Sequence, residues 1–325
     1  MSKVDRIKCS VIIRCYNEEQ HMGRLLSGIM QQTVKNAEII IVDSGSTDAT
    51  LSIASRYPVQ ILSIRPEEFS FGRSLNIGCQ AASGEFIIIA SAHIYPVYKD
   101  WLEQLLFSFV DPQVALVYGK QRGNQNTQYA EQRVFSQWFP ERSNRQQKQP
   151  FCNNANAAIR RALWEQQPYN EELTGLEDLD WANRVIALGY YLAYAAEAEV
   201  IHVHNETPRQ TYNRYRREAI TFKHIFPSEQ FHFWDFVRLW AANVFNDYKH
   251  VLYDKVHWRE FFMIPRFRLM QFWGTYCGYS QHKPISQQLR RTFYYPYSRA
   301  QTPKPSEQQR TNLQIHYDEI TGHHL

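Results

Sequence analysis

The sequence predicts an α/β fold with a mostly parallel central sheet covered by helices on both faces, followed by a helical extension rich in aromatic and basic residues. Three observations predict it. Short apolar, β-branched runs alternate with helix-spaced segments over the first 120 residues, polar turns follow the carboxyl ends of several of those runs, and beyond residue 209 three segments have helical character.

Residues 9–14 (CSVIIR) read as a buried strand, and residues 18–31 as a helix with Met22, Leu25, Leu26 and Ile29 on one face. Residues 37–42 (AEIIIV) give a second strand, ending in the polar turn 43–48 (DSGSTD), which starts a helix over 49–57. A third apolar run spans 59–64, a helix 74–82, a fourth strand 85–90 (EFIIIA), a helix 101–109 and a strand 114–118. Between 119 and 150 the chain turns polar and Gln-rich, and reads as a long excursion or loop. Order returns over 152–161, continues in a helix from about 178 to 188 and reaches a strand at 199–204. The boundary falls near Pro208, separating residues 1–208 from an extension, 209–325. The extension has helical segments at 210–226, 231–253 and 258–277, then a polar tail at 301–325.

The chain's 325 residues suffice for one large domain with or without an appendage, and 44% hydrophobic with 21% charged residues marks an ordinary folded protein. Five scattered cysteines form no CxxC pair, which predicts reduced thiols. No N-terminal apolar stretch suits a signal peptide, and no run of eighteen apolar residues suits a spanning helix, so a cytoplasmic location is expected. Residues 1–208 carry 19 Lys and Arg against 23 Asp and Glu, while 209–325 carry 17 against 9. An acidic front and a basic, aromatic back imply different tasks. The segments 231–253 and 258–279 interleave Trp, Phe and Tyr with Arg, Lys and His, which suits either an anionic membrane surface or packing on the first domain.

In sheets of this kind ligands bind beyond the carboxyl ends of strands, which selects the segments after Ile13, Val42 and Ala90. Asp43 and its turn would face a nucleoside and phosphates, or serve as a helix cap. Ser91, Ala92 and His93 lie on the same rim, where His93 is a metal or phosphate ligand or a structural histidine. Glu177 and Asp178 open a helix, where the dipole favours acids and where a carboxylate could act as general base. His202 and His204, two apart on a strand, would share one face and suit a metal or a diphosphate. Arg73, Arg160 and Arg161 are candidate cations for phosphate or acceptor anions.

The order of these segments resembles glycosyltransferase family 2. The resemblance rests on Arg14-Cys15-Tyr16-Asn17-Glu18 after the first strand, DSGSTD after the second, a rim motif after the fourth and a later Glu177-Asp178. The stretches FSFGRSLNIG (69–78), NNANAAIRR (153–161) and GLEDLDW (175–181) are similar to its bacterial rhamnosyltransferase-like branch. The resemblance covers about residues 8–205. It implies a GT-A fold and an inverting transfer of sugar from a nucleotide-sugar donor, a dTDP- or UDP-sugar, to a hydroxyl of a glycan or lipid-linked glycan in surface polysaccharide synthesis. It assigns donor binding to about 8–118 and the acceptor and base to about 150–208. Arg14, Tyr16, Asn17, Glu18, Asp43, Ser44, Gly45, Arg73, Ser91 and Ala92 are implied for the donor nucleotide. Asp178 is implied as base with Glu177 as its partner, and Asn156, Arg160 and Trp181 are implied for the acceptor. Ser91-Ala92-His93 stands where the family has DxD, so the Mn²⁺ or Mg²⁺ that neutralises the diphosphate is either held by His93, His202 and His204 or replaced by Arg and His.

Two other classes compete. A nucleotide-sugar-binding module without catalysis would explain the missing DxD but not Glu177-Asp178. A nucleic-acid binder would explain the basic back but not the acidic strand ends, so no nucleic-acid partner is expected. A dinucleotide-binding dehydrogenase is excluded because no GxGxxG follows the first strand, and no P-loop pattern is present.

Overall fold

The computed structural model describes residues 9–254, 258–281 and 285–294. Its first half alternates as expected: β1 (Cys9–Cys15), α1 (Met22–Met30), β2 (Ala37–Asp43), α2 (Thr50–Ala54), β3 (Gln60–Ser63), α3 (Phe71–Ala81) and β4 (Phe86–Ser91). There follow β5 (Ile94–Pro96), α4 (Trp101–Phe107), β6 (Val114–Arg122), α5 (Tyr129–Trp138), β7 (Asn144–Gln147), β8 (Asn156–Arg160), α6 (Arg161–Gln166), α7 (Glu177–Ala187) and β9 (Tyr191–His202). The sheet order is β3-β2-β1-β4-β8-β6-β9-β5, with β7 beside β9. β3, β2, β1 and β4 are parallel, as are β6 and β9, whereas β8, β5 and β7 run antiparallel to their neighbours.

The near-continuous apolar runs follow from burial on both sides. Successive side chains alternate, so Val11, Ile13, Ile39, Ile41 and Ile88 enter one core while Ile12, Ile40, Val42, Ile87 and Ile89 enter the other. α1 and α4 cover the first face, and α3, α6 and α7 cover the second. Each fully buried Leu or Ile contributes roughly 1.5–3 kcal/mol.

The segment 119–150 is not a plain loop. It contains α5 and β7, and α5 buries Tyr129, Ala130, Glu131, Val134 and Phe135. Five of its ten residues are Gln, Glu, Arg or Ser, which hides so short an apolar face.

The expected boundary near Pro208 coincides with the start of α8 (Pro208–Ile225), where Thr207 and Gln210 form a capping box and Pro208 occupies the first turn. α9 (Phe233–Asp254), α10 (Glu260–Tyr279) and α11 (Gln287–Tyr294) follow. Gly274 and Gly278 let α10 lie directly on α8, for a Cβ there would sit 2.6 Å from the Tyr212 carbonyl oxygen and 2.5 Å from that of Arg216. A third core joins the helices to α5 through Tyr129, Val134, Tyr215, Val251, Ile264 and Phe267. α9 and α10 are locked by a buried fork, Arg268 Nε to Asp247 Oδ2 at 2.7 Å and Nη2 to Oδ1 at 3.0 Å. The described residues fall within one compact unit ending at Tyr294; residues 295–325, with the polar tail at 301–325, lie outside the described residues.

Candidate active site

The ends of β1, β2 and β4 are adjacent because the register pairs Arg14 with both Val42 and Ser91. The two loops beyond β1 and β2 interlock. Asn17, in a left-handed conformation, donates its N–H to Ser46 Oγ, and its Oδ1 accepts from the Thr47 N–H at 2.8 Å. The Glu18 N–H reaches Thr50 Oγ1 at 2.7 Å. Asp43 does not face an open nucleoside pocket. It is 2% exposed, and its carboxylate accepts from the N–H groups of Gly45 and Ser46, while Ser44 donates to the Cys15 carbonyl. Asp43, Ser44 and Gly45 thus shape the turn, with Gly45 at φ +93°. Tyr16 is half-buried on the same rim, and Ala92 is buried. Arg73 sits exposed on α3 and meets Glu171 at 3.7 Å.

His93, His202 and His204 converge. One ligand atom from each lies within 4.8 Å of the others, and the rings of His93 and His202 stack at 5.0 Å. β9 ends at His202, so His204 lies just past the strand, yet its ring stays 4.1 Å from that of His202. Every Nδ1 is tethered: His93 to Glu18 Oε1 at 2.8 Å, His202 to Gln121 Oε1 at 2.7 Å, and His204 to Glu131 Oε1 at 2.8 Å. A carboxylate or amide oxygen can only accept, so each Nδ1 donates to its tether and Nε2 is the ring nitrogen left for another partner. Ser91 Oγ lies 3.1 Å from Nε2 of His93, whereas Nε2 of His202 is buried without a hydrogen-bond partner among the described residues. Burial, then the charges of His204, His93 and Arg214, holds His202 well below the ordinary histidine range, so it is neutral. Three neutral-capable imidazoles, each oriented by an outer acceptor, fit a divalent cation of intermediate softness. Glu131 is itself fixed by Arg214, whose Nε also reaches Glu206 at 3.0 Å. Burial raises the Glu131 pKa, but His204 and Arg214 outweigh it and bring it to about 2.

Across the rim, Glu177 and Asp178 open α7. Leu176 precedes them at φ +52°, a strained conformation for a branched residue. Glu177 pairs with Arg14 at 3.1 Å, and the same Arg14 nitrogen donates to the Phe71 carbonyl at 3.0 Å. Among the described residues Asp178 has no cationic partner at bonding distance; it accepts from the N–H of Asn154 at 2.9 Å and of Leu179 at 2.8 Å. Burial first, then the charge of Glu177, pushes its pKa up to about 7 against the two backbone donors and Arg14. The charge of Arg14 favours the ionised form of Asp178 and disfavours that of His93.

Three residues expected at the acceptor are elsewhere. β8 runs antiparallel to β4, so Asn156 pairs with Ala90 near the rim while Arg160 pairs with Phe86 at the opposite end. Arg160 there donates to the carbonyls of Val114, Phe109 and Asp111. Asn156 is fully buried and bonds Trp101, Lys120 and Ala198. Trp181 lies in the core with its Nε1 on the Gln167 carbonyl. Arg161 lies at the start of α6 and pairs with Glu165. Asn154, whose N–H donates to Asp178, is 4% exposed, and its side-chain Nδ2 and Oδ1 both lack partners among the described residues. It sits inside the motif stretch 153–161, but nothing there distinguished it from Asn153 or Asn156. Gln121, Glu131 and Arg214 carry no motif signal either.

The mixed α/β sheet carries a polar rim with a histidine cluster and a buried acid pair, and the comparisons with known proteins give its class, a glycosyltransferase of GT-A fold. Residues 10–166 match the family described as glycosyl transferase family 2. The O-antigen chain rhamnosyltransferase WbaN of Salmonella anatum is 36% identical over 219 residues, covering 63% of this chain and 69% of that protein. The O-antigen chain rhamnosyltransferase RfbN of Salmonella typhimurium is 30% identical over 221 residues, covering 64% and 70%. The chain belongs to glycosyltransferase family 2. Among solved structures, mannosyltransferase PcManGT from Pyrobaculum calidifontis, in complex with GDP-Man and Mn²⁺, matches with a TM-score of 0.59 at 17% identity, over 84% of this chain and 86% of that one; it is similar in fold.

Proposed function

We propose that this glycosyltransferase makes a single in-line displacement, with Asp178 as the base that accepts the proton of the acceptor hydroxyl as its oxygen attacks the anomeric carbon. The observation that carries the reading is a buried carboxylate held by two backbone N–H groups and, among the described residues, without a cationic partner at bonding distance; burial and the charge of Glu177 push its pKa up to about 7. Glu177, fixed by Arg14, raises the basicity of Asp178 through its charge. His93, His202 and His204 would hold a divalent cation, for which imidazole nitrogens favour Mn²⁺ over Mg²⁺. Such a cation supplies positive charge against the diphosphate that departs. The two O-antigen rhamnosyltransferases support rhamnose as the transferred sugar, and dTDP is the carrier we propose for it. Asp178→Asn is expected to leave nucleoside diphosphate binding within about twofold and to lower turnover at least ~10²-fold; near-normal turnover would refute the assignment.

Residues 1–208 then supply the donor and base elements, and the helices after Pro208 enclose them. The acceptor reading is a glycan on a lipid at the inner face of the cell membrane. It is supported by the outer faces of α9, with Trp234, Arg238, Phe245 and Lys249 exposed four to seven residues apart, and α10, with Phe262, Arg266 and Trp273 exposed. Trp and Phe next to cations suit an anionic interface. Among the described residues no helix is long and apolar enough to cross a membrane, so contact would be peripheral. The protein should float with vesicles containing anionic phosphatidylglycerol and be released by salt; equal recovery with neutral vesicles would sink this part.

A further inference from the structure

Arg217, on the third turn of α8, is a buried guanidinium with weak partners. Its side chain is 17% exposed, and its Nε has no hydrogen-bond partner among the described residues. Nη1 reaches the Phe293 carbonyl at 3.3 Å, and Nη2 stands 3.8 Å from the Glu218 carboxylate, beyond hydrogen-bond length. The adjacent Arg216 also leaves its Nε without a partner among the described residues but donates Nη2 to Gln281 at 2.9 Å, and three other arginines are better matched. Arg14 has Glu177 at 3.1 Å, Arg214 has both Glu131 and Glu206, and Arg268 forks onto Asp247.

Its position is defined from three sides. The guanidinium carbon lies 4.8 Å from the centre of the Phe71 ring, which also takes Arg14 at 5.1 Å. A Cβ on Gly175 would come within 3.2 Å of Nε, so that nitrogen faces the loop leading into Glu177. Thr221, one turn on, bonds Thr174 in the same loop at 3.1 Å. Glu177 and Glu206 both act on Arg217 electrostatically, and Glu206 acts on His93 as well. The guanidinium therefore lies over Phe71, beside the loop that leads into Glu177. A desolvated guanidinium without a close anion is costly, and its planar donors match phosphate oxygens.

Resting on the nucleotide-sugar reading above, we infer that Arg217 binds a diphosphate within the cleft. Two sources share that chemistry: the nucleoside diphosphate of the donor and the diphosphate of a lipid-linked acceptor. Calorimetric titration of the full chain, wild type and Arg217→Gln, with dTDP, UDP and geranyl diphosphate separates them, with thymidine and uridine as phosphate-free controls. Arg217→Gln should weaken one diphosphate probe about 10–100-fold, as expected for a lost charge-assisted bond. Arg217→Lys should recover part of the loss, and the phosphate-free nucleosides should bind as before. Loss on dTDP or UDP assigns the donor, and loss on geranyl diphosphate alone assigns the acceptor. Unchanged binding of all three overturns the inference. So does an equal loss that includes the nucleosides, which is what a packing role over Phe71 would produce. Wild-type protein that binds neither dTDP nor UDP would instead remove the nucleotide-sugar reading on which this rests.

Discussion

At the histidine end of the site every ring is held by a further residue, Glu18 on His93, Gln121 on His202 and Glu131 on His204, and Glu131 is itself held by Arg214. At the acid end Asp178 is held only by backbone N–H groups, and Asn154 beside it has neither end of its amide engaged. One cluster has its outer partners in place, as an ion-binding or charge-neutralising group needs. The unpartnered buried atoms differ too: at the histidine end they are Nε2 of His202 and of Gln121, and at the acid end they are both ends of the Asn154 amide, as a site for a sugar hydroxyl needs. The difference suggests that the first is rigid before substrate arrives and the second is completed by it.

Three experiments test that contrast, in order of expected effect. Gln121→Ala removes the tether of the buried His202 and should weaken Mn²⁺ binding about 10–100-fold, read by titration without any substrate; unaltered Mn²⁺ affinity would mean that the cluster does not hold the ion. The second is a pH profile. Asp178 acts as a base only when ionised, and its pKa is raised from the usual carboxylate range to about 7. Activity should therefore climb roughly tenfold per pH unit from pH 5 to about 7 and level off above, and a flat profile there would contradict the base assignment. The third and smallest concerns Asn154. Asn154→Leu removes two unpartnered buried polar atoms and should raise stability by about 1 kcal/mol, seen as a higher melting temperature, while transfer to acceptor falls. A destabilised variant would show that the amide is already satisfied.

Much of the sheet was legible because its strands are buried on both faces: the unbroken runs at Val11–Ile13, Ile39–Val42 and Ile87–Ile89 admit few other readings. The His-x-His pair was legible because strand spacing brings alternate side chains together. α5 was not, since its apolar face is narrow and its outer face polar. Nor was the placement of Asn156, Arg160 and Trp181. A motif stretch names a segment but not its direction, and the antiparallel course of β8 carries Arg160 away from the rim on which Asn154 sits. Asp43 was placed in the right turn, but only coordinates show both its oxygens bonded to that turn. Glu131, Gln121 and Arg214 come from distant parts of the chain, and no spacing links them to the histidines they position.

The way α8 is seated has a practical corollary. A shortened enzyme ending with the last strand would keep all the sheet and both flanking layers. It would nevertheless strip Arg214 from Glu131 and open the Tyr129 and Val134 side of α5 to water. The smallest working piece of this chain therefore extends past the sheet, through at least the first of the helices that follow it.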